Sequence, residues 1–241
     1  MAVRLAQLGH DVAVHFASSD EGAAETASAV EAAGCRAATL QADLLDVTAC
    51  EALVGRARDA LGGPVTVLVN NASIFEHDTI RSATRQSWDR HFGSNLRAPL
   101  ILTQAFAAQA PAAASDGEPL ASGNIINMVD QRVRKLTPEF MTYTLAKAGL
   151  WTLTQTTAQA LAPAIRVNAI GPGPTLRGER QSAAHFAAQR AATVLGRGAD
   201  VDDITAALAY ILGAKSVTGQ LICVDGGQHL GWQTPDVQGI E

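Results

Sequence analysis

Apolar and polar positions along the chain fall into a repeating order of short, nearly continuous apolar runs and longer Ala-rich stretches of helical spacing. Residues 12–16, 65–69, 125–129, 165–170 and 221–224 are apolar runs without clean alternation. Such runs suit strands covered by helices on both faces, where neither set of alternate side chains meets water. A weaker run at 36–41 reads as a sixth strand. Between the runs, residues 20–33, 47–61, 95–110, 142–161 and 201–212 have helical composition and spacing. Ser19, Asp20 and Asp46 supply N-cap chemistry, and Gly34 and Gly62 supply stops. This alternation predicts an α/β fold with a doubly wound parallel sheet in three layers. Residues 109–122 read as a surface loop, and 171–200, rich in Gly, Pro and Arg, as a mobile flap over a pocket.

Composition narrows the function classes. The chain has 241 residues, 47% of them hydrophobic, and a formal net charge of −5, within the range of a single domain over 1–241. With no basic block, no nucleic-acid partner is expected. Apolar stretches are too short to cross a membrane, and no secretory leader is seen, which predicts a cytoplasmic protein. Cys35, Cys50 and Cys223 are too scattered for a disulfide framework or a metal site, and each reads as a buried, inert thiol.

Candidate chemistry centres on Tyr143 and Lys147, four residues apart and hence on one helical face. A phenol with an ordinary pKa of about 10 is a poor acid–base group, and a nearby ammonium would lower that value. Taken alone, the pair also fits an ordinary helix surface. Asn70-Asn71-Ala72-Ser73 ends an apolar run, at the strand end where ligands bind in such sheets, although asparagines also mark plain turns. Asn95 opens a helix, as a cap would, and Pro172-Gly173 follows a strand, as a rigid loop would.

In this order and at these spacings, the motifs resemble the short-chain dehydrogenase/reductase family over about residues 1–232. The family's N-N-A-G is similar to Asn70-Asn71-Ala72-Ser73, and its Y-x-x-x-K to Tyr143 and Lys147. Its P-G and D-G-G match Pro172-Gly173 and Asp225-Gly226-Gly227. The resemblance implies a Rossmann-like, NAD(P)-binding oxidoreductase. Tyr143 would be the proton donor, Lys147 would hold the nicotinamide ribose, and Asn95 would order a relay water. Asp43 with Leu44 would contact adenine, and Asn70, Ala72, Ser73, Pro172 and Gly173 would line the cofactor. A small-molecule substrate and a homotetramer or homodimer are also implied, with residues 230–233 as a piece of the interface.

The sequence departs from the family in two ways. The usual first strand and T-G-x-x-x-G-x-G turn are not found, and Met1–His10 already reads as the helix that follows them. That turn brings backbone N–H groups to the pyrophosphate at a helix N-terminus. The expectation is a domain truncated at its N-terminus relative to the family, with a start placed too far downstream. The alternative is a truncated, non-catalytic binding or assembly module. The absent strand would sit mid-sheet and leave two open edges.

The second departure is Asp130, which stands where the family has serine, thirteen residues before Tyr143. A carboxylate there should raise the phenol pKa and favour giving a proton during reduction. An ion pair of Asp130 with Arg132 or Arg134 is the alternative. Asp at this position, with Ser73 and Phe75 after the paired asparagines, resembles the pteridine reductases. That resemblance implies that Phe75 stacks a pterin ring and that Asp130 orients it; plain packing of Phe75 is the alternative. A generic carbonyl or 3-oxoacyl reductase is the second enzyme reading. The end of the second strand carries Ser18 and Ser19 and no acid before Asp20, so NADP(H) is favoured over NAD(H), with His15 as a possible added charge.

Overall fold

Strand and helix alternate in the computed structural model, which describes residues 1–178 and 181–232, largely as the apolar pattern predicts. Helix α1 (Ala2–Gln7) leads to β1 (Val12–Phe16), α2 (Asp20–Ala32), β2 (Ala37–Gln41), α3 (Val47–Leu61) and β3 (Val67–Asn70). Helix α4 (Arg85–Phe92) runs through a π-helical turn (Gly93–Arg97) into α5 (Ala98–Gln109). Two-residue strands β4 (Ala114–Ser115) and β5 (Pro119–Leu120) make a small hairpin on the expected surface loop. The chain continues through β6 (Gly123–Met128), α6 (Met141–Ala160), β7 (Ile165–Pro172), α7 (Ala183–Ala191), α8 (Val201–Gly213) and β8 (Leu221–Val224).

Local chemistry explains several boundaries. The Asp46 carboxylate caps α3 by accepting from Thr48 N–H at 2.8 Å and Ala49 N–H at 3.2 Å. Gly62 ends α3 at a φ of 74°, a conformation that costs glycine nothing. Ser19 precedes α2 but makes no capping bond with its side chain.

Strand β6 shows why the apolar runs lack alternation. Its neighbours Ile125 and Ile126 point to opposite faces, and both are wholly buried. Ile126 packs with Val30, Ile170, Leu208 and Ile211, whereas Ile125 packs with Leu53, Phe106, Ile165 and Val167. Helices therefore cover both faces of the sheet, which gives the Rossmann-like three-layer arrangement.

The parallel strands form two groups. One holds β3-β6-β7-β8 in that order, and the other holds β1-β2. Between β1 and β3 lies a cavity of about 640 Å³, lined by Val12, Val14, Val67, Val69 and Asn70, with Met1 of the N-terminus beside it.

Three expectations need correction. Residues 171–200 are not simply a flap. Strand β7 reaches Pro172, α7 follows, Thr193 and Ala199 are buried, and Arg190 bonds the carbonyls of Pro174 and Ala199. Helix α4 is an addition, because its polar composition hid it from the apolar pattern. Of the cysteines only Cys50 is buried; Cys35 and Cys223 are half-buried, since each lies at a margin of the core.

Candidate active site

The site is built where β6 ends and α6 begins. The chain leaves β6 through Val129 to Asp130, whose carboxylate turns back on both sides. Oδ1 accepts the N–H of Arg132 at 2.8 Å, and Oδ2 accepts the Tyr143 hydroxyl at 2.8 Å. Among the described residues Asp130 makes no ion pair. Arg132 instead reaches Thr137 and the ring of Phe140, and Arg134 lies over Trp151. The ion-pair alternative for Asp130 is thereby set aside.

Tyr143 is 5% exposed. Burial, and after it the charge and hydrogen bond of Asp130, push its phenol well above the ordinary value, while Arg132 and the Ser73 hydroxyl pull weakly the other way. The lowering expected from the Tyr143–Lys147 spacing is not found, since Lys147 is not among the groups that lower the phenol pKa. Lys147, on the same face of α6, is 2% exposed and donates to the Met128 carbonyl at 2.7 Å. Its Nζ lies 5.7 Å from the Tyr143 ring centre, and burial brings its pKa down to about 8, against the attraction of Asp130.

The loop after β3 supplies the opposite wall. Asn95, buried in the π-helical turn, accepts from Ile74 N–H at 2.9 Å and donates to Ile74 O at 2.8 Å. Both ends of its amide thus hold the loop, and only the spare lone pair and N–H remain for the proposed relay. Phe75, 42% exposed, stands edge-on to Tyr143 at 4.7 Å and stacks on Phe140 at 4.3 Å. Asn70 donates to Asn127 at 2.8 Å, and Asn127 to Thr154 at 2.9 Å, a polar file from β3 through β6 to α6. Asn127, Thr154 and Phe140 were not singled out by sequence. Phe140 sits at a φ of 58°, where only a glycine would have been a readable signal.

The cofactor candidates lie at strand ends. Ser18 and Ser19 are exposed beyond β1, and Ala72 and Ser73 are exposed beyond β3. Asp43 and Leu44 follow β2, with the Asp43 carboxylate accepting from Leu45 N–H at 2.9 Å. The His15 Nε2 lies 2.9 Å from Ala42 O, so that ring is turned to the neighbouring strand and not toward Ser18. Pro172 and Gly173 end β7 against the Asp225 turn, and a Cβ on Gly173 would come within 2.6 Å of the Asp225 backbone. The Asp225 carboxylate accepts from Gly227 N–H, His229 N–H and His229 Nδ1, so the D-G-G stretch is a structural turn.

Residues 1–229 fit the family model described as enoyl-(acyl carrier protein) reductase. The chain belongs to the short-chain dehydrogenase/reductase family. It is similar to an alternative dihydrofolate reductase 1, FolM, from Brucella suis, whose crystal structure contains NADP. The two are 42% identical with a TM-score of 0.89, covering 98% of this chain and 92% of that one. A blue fluorescent protein from a metagenomic library, solved with NADPH, is 32% identical with a TM-score of 0.82, covering 94% and 92% of the two chains. A 3-oxoacyl-[acyl-carrier-protein] reductase of Staphylococcus aureus is 29% identical, covering 95% and 92%. As a member of this family the chain is an oxidoreductase with a Rossmann-like fold. No helix among the described residues is long and apolar enough to cross a membrane.

Proposed function

We propose that the chain is an NADPH-dependent reductase of a dihydropterin or a similar conjugated C=N or C=O compound. One observation carries the reading: Asp130 accepts the hydroxyl of a buried Tyr143 whose pKa is raised. A phenol kept protonated is fitted to donate a proton at the nitrogen or oxygen of a reduced double bond. The cofactor, when bound, supplies the hydride. Asp130 aims the phenol and favours its protonated form, and Phe75 offers a flat apolar face to a flat ring. Lys147 would bind the nicotinamide ribose on leaving Met128, and Ser18, Ser19, Asp43, Leu44, Asn70, Ala72, Ser73, Pro172 and Gly173 would line the rest. The serines at the end of β1, the dihydrofolate reductase likeness and the NADP(H) in similar structures support NADP(H) and a pterin.

The slot between β1 and β3 bears on the pyrophosphate. Among the described residues both strands are paired on one side only, and the buried Oδ1 of Asn70, which lines the slot, has no hydrogen-bond partner. We infer that a strand contiguous with α1 fills this slot and that the turn after it carries the phosphate-binding N–H groups. The reading also includes a homodimer or homotetramer in the cytoplasm. Exposed Trp88 and Leu100, and Leu230 and Trp232 near the end of the described chain, are apolar surface that a second copy would cover. Gln233 of that expected interface piece lies outside the described residues.

A second enzyme reading, reduction of 3-oxoacyl thioesters, is favoured by the likeness to the staphylococcal relative. The test is NADPH oxidation with dihydropterins beside 3-oxoacyl thioesters. Turnover on dihydropterins supports the first reading, and turnover only on thioesters replaces it. Failure to bind NADPH even with the slot filled would favour a non-catalytic module.

A further inference from the structure

The helix that carries Tyr143 has no cap of its own. Its N-cap position is Phe140, an apolar side chain in left-handed backbone, so it offers no acceptor to the free N–H groups of the first turn. Two of those groups are met by a residue far away in sequence. Met141 N–H donates to Asp78 O at 3.3 Å, and Thr142 N–H donates to Asp78 Oδ1 at 3.1 Å. The Thr142 hydroxyl donates to Asp78 Oδ2.

Asp78 is 2% exposed. Burial opposes its ionisation, but hydrogen bonds from the Thr142 side chain and backbone and from Ser87, with the influence of His91, hold its carboxyl below the ordinary value. It is therefore an anion at a helix N-terminus, where the helix dipole favours one. Behind it, His91 is wholly buried, and burial lowers its pKa. Its Nε2 accepts Glu76 N–H at 3.1 Å, which puts the proton of the neutral ring on Nδ1, 2.7 Å from the Thr142 hydroxyl. The chain Glu76 N–H, His91, Thr142, Asp78 is then satisfied donor by donor.

Both ends of the loop are now accounted for. Asn95 holds Ile74, and the Asp78–Thr142–His91 group holds residues 76 to 78. Phe75 lies between these anchors, and Tyr143 directly follows Thr142. We propose that Asp78 is a positioning residue: by capping α6 from the loop, it fixes the aromatic wall at Phe75 relative to the proton donor at Tyr143. The positioning role rests on the reductase reading above, whereas the cap can be tested apart from it.

Amide hydrogen exchange on the whole chain tests the cap without cofactor. In Asp78→Ala, exchange should quicken about tenfold or more at residues 74–78 and 141–144, while 150–160 stay protected. Asp78→Asn, which keeps an acceptor for Thr142 N–H, should recover most of that protection. Where dihydropterin turnover is measured, Asp78→Ala should lower kcat/KM about 10- to 100-fold, with the KM for NADPH within about twofold. Unchanged exchange overturns the proposal, as does faster exchange throughout α6 that Asn fails to rescue, or turnover within about twofold of the parent. If the parent turns over no dihydropterin even with the slot between β1 and β3 filled, the reductase reading fails while exchange still decides the cap. Should Asp78→Ala not fold, Thr142→Val removes the bridging hydroxyl, and faster exchange at 74–78 is expected; unchanged exchange there overturns the proposal.

Discussion

The Tyr143 hydroxyl donates to Asp130 Oδ2 at 2.8 Å, closing a loop of thirteen residues between the end of β6 and the first turn of α6. The bond fixes the direction of the phenol and, after burial, helps to keep it protonated. It also separates this site from one in which a neutral partner stands beside the tyrosine.

The raised phenol pKa has a sign that can be read in a pH profile. Reduction needs the protonated phenol, so activity should hold on the alkaline side until Tyr143 ionises. Asp130→Ala removes a negative neighbour, lowers the Tyr143 pKa, and should move the alkaline fall of kcat/KM to lower pH. The rate at neutral pH should drop about tenfold or more as the phenol loses its orientation. A profile of unchanged shape would mean that another group governs the limb.

Lys147 makes a stability prediction. Its folded pKa of about 8 lies below the unfolded value of 10.5, so the unfolded chain binds more protons between them and stability should rise with pH across that window. The penalty for a buried ammonium is fully present below about pH 8. Lys147→Met removes it, at the cost of about 1–3 kcal/mol for leaving the Met128 carbonyl without its donor. Denaturant midpoints at pH 7.5 and 8.5, a range chosen around that pKa, should converge between variant and parent as pH rises if the parent gains and the variant does not. Parallel curves would show that Lys147 does not titrate there.

Phe75 is expected to act through substrate stacking. Phe75→Ala should raise the KM of a dihydropterin about 3- to 10-fold, in line with 0.5–1.5 kcal/mol for an aromatic pair, with little change in NADPH binding. An equal loss on an aliphatic ketone would assign Phe75 to packing alone.

The open edges of β1 and β3 predict a response to strand addition. Outward amides of Val12–Phe16 and Val67–Asn70 should exchange fast in the 241-residue chain. An N-terminal extension bearing a strand and a T-G-x-x-x-G-x-G turn should protect them and tighten NADPH binding. Protection without tighter binding would place the phosphate contacts elsewhere.

What the sequence made legible follows from where its signals are local. Strand β6 was readable because Ile125 and Ile126 are both buried, and Tyr143 with Lys147 because helical spacing puts them on one face. Asp130 was readable by its distance from Tyr143. Helix α4 was missed although Thr84 and Ser87 form a capping box, because Ser at the fourth position is a weaker cue than Glu. Asp78, Asn127 and Thr154 carry no local mark at all; their parts depend on side chains that meet across 64, 57 and 27 positions. The left-handed Phe140 and the π-helical turn around Asn95 defy local propensity and are held by tertiary contacts.

The most direct measurement is steady-state NADPH oxidation with a dihydropterin, comparing Tyr143→Phe with its parent, both carrying the N-terminal strand and turn that fill the slot between β1 and β3. The account predicts turnover by the parent and a loss of about 100-fold or more in kcat for the variant, with the KM for NADPH little changed. Turnover by Tyr143→Phe within a few-fold of an active parent would contradict it, because the proton would then come from a group other than Tyr143.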